Sequence, residues 1–360
     1  MYGNVIVYPY SRLFAPFLRH IAYTKQFDVQ CAIMPGRWYK DGVDAAFVDE
    51  NSDIGISIKQ GFEDQVEYAD TIIWAEYEYG DRLLQEKVWE QMRQSLKKGK
   101  RILCCQELKN EDLDCFCRIA NSSGSAFEYK VFSDGHFNIK SKSLLKIDVP
   151  IITVMGLSGD CQKMEMQLFL RRKFKERGYK VLQIGSRNNC ELLEFHSFPQ
   201  FMFNDQISEI GKMNAYYNYI VELVENEKPD VVIIGIPGGI YPLDDNYNLN
   251  YGITAFEVCN VIQSDCNIFN MWCDIYTDQL VQKMRNVSLH RLNTPIDFIN
   301  LSNVTINKDF FMDRGHALGY NVYDRKSVEM FMEEINNPTV YSLIDDSRDR
   351  LFDSIMEKIS

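Results

Sequence analysis

The sequence predicts an α/β protein built from two doubly wound, mostly parallel sheets, one over residues 1–145 and the other over 146–360. Three observations carry that prediction. Short apolar runs alternate with amphipathic stretches of helical period in both halves, the pattern of parallel strands covered by helices. The chain of 360 residues is 46% hydrophobic and 13% aromatic, enough apolar material for two cores. A polar, basic segment from Phe137 to Pro150, FNIKSKSLLKIDVP, separates the two series and ends in proline, which marks a boundary.

In the first half, strands are expected at Asn4 to Tyr10, Phe27 to Pro35, Asp70 to Tyr77 and Arg101 to Leu108, each an apolar run rich in β-branched or aromatic residues. Helices fit RLFAPFLRHIA and LLQEKVWEQMRQSLKKGK. In the second, Leu84, Val88, Met92 and Leu96 recur every four residues, and lysines gather at the end where the helix dipole favours them. This half reads as Rossmann-like. Its first strand runs into Tyr8-Pro9-Tyr10-Ser11-Arg12 rather than G-x-G-x-x-G, so nicotinamide or flavin binding is unsupported. Arg12 and Arg19 follow that turn as anion candidates, with surface arginines on a helix as the plainer alternative.

The second half restarts the alternation. PIITVMG is a strand, Met164 to Arg177 a helix ending before Gly178, and KVLQIGS a second strand. The helix from Ile207 to Glu227 is stopped by Pro229, and DVVIIGIPGG follows as the continuous apolar run of a central parallel strand. CNIFNMW and IDFINLS supply further strands, and the last 30 residues one strand and one or two helices.

The stretch VMGLSGDCQKMEMQLFL carries the main chemical signal. A strand, a glycine-containing turn, a lysine and a helix start are the parts that aim backbone N–H groups at a phosphate, so the loop reads as P-loop-like. It departs from G-x-x-x-x-G-K-[ST] in three ways: Gly156 and Lys163 stand one residue further apart, Gln162 replaces the second glycine, and Met164 replaces the hydroxyl that would hold magnesium. The candidate phosphate-binding residues are Gly156, Ser158, Gly159, Asp160 and Lys163, joined by Ser186 and Arg187 after the second strand and by Pro237, Gly238 and Gly239 after the third. The Walker B aspartate is lacking near Pro237, so magnesium is doubtful and no metal site is assigned. Cys161, at a helix start beside a lysine, is a candidate nucleophile, or else a buried and inert thiol. His196 is a candidate acid or base, or a structural histidine among aromatic neighbours. Glu257 and Asp274 are weaker candidates.

The segments VMGLSGDCQKMEMQLFLRRKF, GYKVLQIGSRNNCELLEFHSFPQFMFN and KPDVVIIGIPGGI, with a weaker match in YPYSRLFAPFLRH and DGVDAAFVDE, resemble the clostridial peptide maturation system proteins that accompany cysteine-rich, bacteriocin-like ribosomal peptides. GLSGDCQK also resembles the turn of a broader group with a Rossmann-like first half and a P-loop second half, some of them linked to acyl transfer. The resemblance implies an accessory protein of natural-product peptide maturation that binds a nucleotide, coenzyme A or another phosphorylated ligand, with a precursor peptide and other maturation proteins as partners. Two alternatives stand beside it, an acyl or phosphoryl transferase and a non-catalytic peptide-binding scaffold.

The bulk numbers exclude other classes. A net charge of -12 repels nucleic acid. The sequence has neither a signal-like start nor an apolar run of membrane-spanning length, so a cytoplasmic protein without membrane insertion is expected, and a homo-oligomer is allowed. The ten cysteines are expected as reduced thiols, with Cys115 and Cys117 lacking a second pair at finger-like spacing.

Overall fold

A computed structural model describes residues 2–36, 41–131, 147–242, 249–274, 276, 278–307, 319–335 and 337–360. The expected boundary at residues 145–146 therefore lies outside the described residues. The chain forms two compact units, Met1–Val131 with Asn189–Glu194, and Phe132–Asn188 with Phe195–Ser360. All ten cysteines are free thiols.

The first unit runs β1 (Asn4–Tyr8), α1 (Ala15–Thr24), β2 (Asp28–Ile33), β3 (Ile58–Lys59), α2 (Phe62–Val66), β4 (Thr71–Trp74), α3 (Arg82–Lys97), β5 (Arg101–Cys104), α4 (Asn110–Ser123) and β6 (Phe127–Tyr129). The strands are all parallel, in the order β3-β2-β1-β4-β5-β6, which is the doubly wound dinucleotide-fold order. Helix α3 starts where the Asp81 carboxylate accepts from the Leu83 amide at 2.9 Å, and it buries Val88, Met92 and Leu96, three of the four residues of the expected stripe. Cys115 and Cys117 lie on α4. The turn after β1 is packed with side chains. Tyr10 is fully buried with its hydroxyl donating to the Ala45 carbonyl at 2.9 Å, and Phe14 stacks on Phe17 at 5.4 Å. Arg19 grips Asp49 through two bonds of 2.8 and 3.0 Å and donates to the Ser52 carbonyl, so it serves the unit's interior. The segment Asn189–Glu194 completes this unit: Leu192 and Leu193 are buried, and the Asn189 amide donates to Glu76 at 2.9 Å and to the Cys105 carbonyl.

The second unit runs β7 (Ile151–Gly156), α5 (Lys163–Glu176), β8 (Val181–Ile184), α6 (Glu209–Glu227), β9 (Val231–Gly235), α7 (Ile253–Val261), β10 (Cys266–Met271), α8 (Asp278–Leu292), β11 (Phe298–Leu301), β12 (Val304–Asn307), β13 (Gly319–Val322), α9 (Arg325–Ile335), β14 (Val340–Tyr341) and α10 (Ser347–Ile359). Its parallel sheet has the order β14-β11-β10-β7-β9-β8, while β12 and β13 form an antiparallel pair. Every residue of β7, β8, β9 and β10 is buried, as strands covered on both faces require. Helix α6 is capped by the Ser208 hydroxyl and ends at Lys228, whose left-handed backbone (φ 49°) precedes Pro229. One face of the sheet packs on α5 and α10, where Phe174 meets Phe352 edge-on at 5.0 Å. The opposite face holds a larger core with Tyr216, Ile220, Val258 and Phe269. Two parallel six-stranded sheets with interleaved helices are thus the fold.

A candidate phosphate loop

The loop from Leu157 to Gln162 joins β7 to α5 at the carboxyl rim of the second sheet. Its first residue prolongs the sheet, since the Leu157 amide donates to the Asn270 carbonyl at 2.9 Å. Gly156 leaves room for the lysine stem: a Cβ there would lie 3.1 Å from Lys163 Cδ and 3.3 Å from the Asn270 oxygen. Within the loop, the Ser158 amide donates to the Cys161 sulfur at 3.2 Å, and the Ser158 hydroxyl accepts from the Asp160 amide and from the Trp272 indole at 3.1 Å.

Lys163 is the first residue of α5, 2% exposed. Its ammonium folds back into the loop, donating to the Ser158 carbonyl, to the Gly238 carbonyl at 2.6 Å and weakly to the Gly159 carbonyl. Burial pulls its pKa down to about 8 and the nearby Arg187 guanidinium pulls the same way, opposed by Cys161 and Asp160. No side chain caps the helix start. The first four amides of a helix have no partner within it, so an anion is their natural complement.

Gln162 occupies the place of the missing glycine and adopts the left-handed backbone that glycine would supply, with φ 56°. Its amide donates to Asn303 Oδ1 at 2.5 Å, and its own oxygen accepts from the Asn303 amide at 3.2 Å. Asn303 in turn exchanges two bonds with Tyr323, at the foot of the β12–β13 pair. Beneath the loop, Asn270 donates to the Met155 carbonyl and accepts from Asn300, both at 2.8 Å, and Asn300 accepts from the Leu343 amide. One helical turn below the lysine, buried Gln167 donates to the Lys163 carbonyl and the Ser186 hydroxyl and accepts from the Ser186 amide. Its amide lies over Gly235, where a Cβ would fall 2.1 Å from the glutamine oxygen.

The structure therefore gathers Gly156, Ser158, Gly159, Asp160, Lys163, Ser186 and Gly238 through direct contacts, with half-buried Arg187 acting on the ammonium and Pro237 and Gly239 flanking Gly238. Cys161 is fully buried, and burial pushes its thiol up more than Lys163 and Ser158 pull it down. His196 pairs through its backbone with Ile184, the last residue of β8, and its ring meets Glu227 at 2.5 Å, at the end of α6. Glu257 is buried on α7, its carboxyl raised to about 8 first by burial and then by Glu209. Asp274 is exposed beyond β10. The sequence reading did not single out Gln167, Trp272, Asn270, Asn300 or Asn303. Asn270 and Asn300 interrupt apolar strands, and a polar residue inside such a run is the signal that marks them, whereas Asn303 lies between β11 and β12.

Among the described residues the donor set does not fit magnesium. Met164, where a hydroxyl is required, is 3% exposed, and Ile236 to Pro242 after β9 contain no acid. Among the described residues no group of three or more His, Cys, Asp or Glu is placed to hold a metal ion, and no helix is long and apolar enough to cross a membrane.

Fold and loop together define a two-sheet α/β protein with a strand, phosphate-loop-like turn and helix in its second half. No protein-family model matches the chain, and no curated protein matches it. Among solved structures it is similar to a DUF1611 family protein from Anabaena variabilis, at 13% identity over 99% of both chains with a TM-score of 0.66. At that identity the likeness is one of fold. Two further matches are a nucleotide-binding protein from Archaeoglobus fulgidus solved with ADP (14% identity, 57% of this chain and 85% of that one, TM-score 0.31) and a plasmid partition protein from Borrelia burgdorferi (14%, 59% and 99%, TM-score 0.32). TM-scores this low define neither fold nor ligand.

Proposed function

We propose that the second unit binds a phosphate-bearing ligand, a nucleotide or coenzyme A, at Ser158 to Lys163, bordered by Ser186, Arg187 and Pro237 to Gly239. The observation that supports this most is the buried Lys163 ammonium at the start of an uncapped helix that follows a central parallel strand. A bound phosphate would replace one or more of the three carbonyls that now share the ammonium. Isothermal titration with ATP, GTP, ADP and acetyl-CoA tests the reading. Saturable binding that is lost in Lys163→Met supports it, and silence with all four rejects it.

The biological setting follows from the sequence resemblance alone: an accessory protein of ribosomal peptide maturation, cytoplasmic, acting with a precursor peptide and its modifying enzymes. Co-purification with the precursor is the expected outcome, and a chain that never retains it rejects the setting. A binding role is favoured over an acyl or phosphoryl transferase by two placements. Cys161 is enclosed with a raised pKa, and the His196 ring is engaged by Glu227. A mass shift on the co-expressed peptide that disappears in Cys161→Ser or His196→Gln would reverse that preference.

A further inference from the structure

The place where a phosphate loop ordinarily holds magnesium is built here from apolar and neutral groups, and we infer that the ligand of the second unit is bound with its phosphates free of divalent metal. This deepens the proposed ligand reading and rests on it.

Three features converge. Met164 fills the position after the lysine and is buried with a soft thioether, which is no ligand for a hard cation. The end of β9 offers no carboxylate either, because Gly235 is covered by the Gln167 amide and the strand continues into buried Ile236 and then Pro237. Among the described residues, the polar side chains that bond within and beneath the loop are uncharged and engaged with protein atoms: Ser158 with Trp272, Gln162 with Asn303, Gln167 with Ser186 and Asn270 with Asn300, while Asp274 stands exposed beyond β10. Asp160 is the loop's one carboxylate, and it stands beside the Lys163 ammonium, whose charge it offsets.

Positive charge reaches the site by another route. Lys163, the amides at the start of α5 and Arg187 supply it from the protein itself. Phosphoryl transfer needs metal to neutralise the charge that develops on the transferred group. A loop without that provision holds phosphate as an anchor, and the reactive or recognised part of the ligand lies elsewhere in the molecule.

The full chain is titrated calorimetrically with ADP and, separately, with coenzyme A, once in EDTA and once in excess magnesium chloride. The expected dissociation constants agree between the two buffers to within about threefold, a tenfold change corresponding to about 1.4 kcal/mol. Binding that appears only with magnesium, or tightens by about tenfold or more when it is added, overturns the inference while leaving the ligand reading intact. Lys163→Met is expected to abolish binding in EDTA, and unaltered binding by this variant overturns the inference by placing the ligand elsewhere. Failure of both probes in both buffers removes the ligand reading itself, and the inference falls with it.

Discussion

Each unit begins with a strand near the middle of its sheet that turns into a helix at the carboxyl rim, and the two turns are filled in opposite ways. After β1 the space is taken by Tyr10, Phe14 and Phe17, all fully buried, and the nearby arginine is spent on Asp49. After β7 the chain stays close to bare backbone, with small residues at Gly156, Ser158 and Gly159 and one lysine curled among its carbonyls. The same topological position is packed with aromatic side chains in one unit and lined by backbone and one lysine in the other. Aromatic side chains at such a turn remove the opening that a ligand needs, whereas glycine and serine leave it to the backbone.

Four measurements sharpen or break this contrast. The largest effect is expected from Lys163→Met, which should weaken ADP or coenzyme A binding by about 2–5 kcal/mol, the cost of losing a buried charged partner. Titration of Tyr10→Phe in parallel should show no change in affinity. If the two variants behave alike, the contrast is void. Next in size, Gly235→Ala forces the Gln167 amide out of three hydrogen bonds and should lower stability by about 1–3 kcal/mol in a denaturant titration. Tyr10→Phe removes one buried bond and should cost about 1 kcal/mol by the same measurement.

The last effect is a matter of sign. The Lys163 ammonium, ordinarily at 10.5, is held at about 8 in the folded chain. Between those values the unfolded chain keeps a proton that the folded one has shed, so this group's contribution to stability rises with pH across that window. Anion affinity should move the other way, falling as pH passes about 8 and the ammonium discharges. Lys163→Met should flatten both profiles, which melting curves and titrations at three pH values would show.

The contrast also explains what the sequence made legible. Strands such as DVVIIG and helices such as Leu84 to Leu96 announce themselves because apolar spacing is local, and the loop with Lys163 stands out because its parts are consecutive. The short β3, with two residues, and β6, with three, offer too little periodicity to detect. Helix α4 and helix α8 went unread between stronger strands. The partners that hold the loop were beyond reach for a different reason. Gln162 and Asn303 are 141 residues apart in sequence, and Thr153 and Asn267 are 114 apart. No window spans such distances, and only the asparagines in CNIFNM and FINL mark strand interiors that carry a polar ladder.

The six residues Asn189–Glu194 have a practical consequence for anyone dissecting the chain. They lie beyond β7, α5 and β8 in sequence yet belong to the first unit, where Leu192 and Leu193 are buried. A fragment stopped at residue 131 would leave that interior open to water, and the ribosome delivers the missing piece only after three elements of the second unit have emerged. The first unit cannot be excised with one cut, and its assembly waits on synthesis of its neighbour.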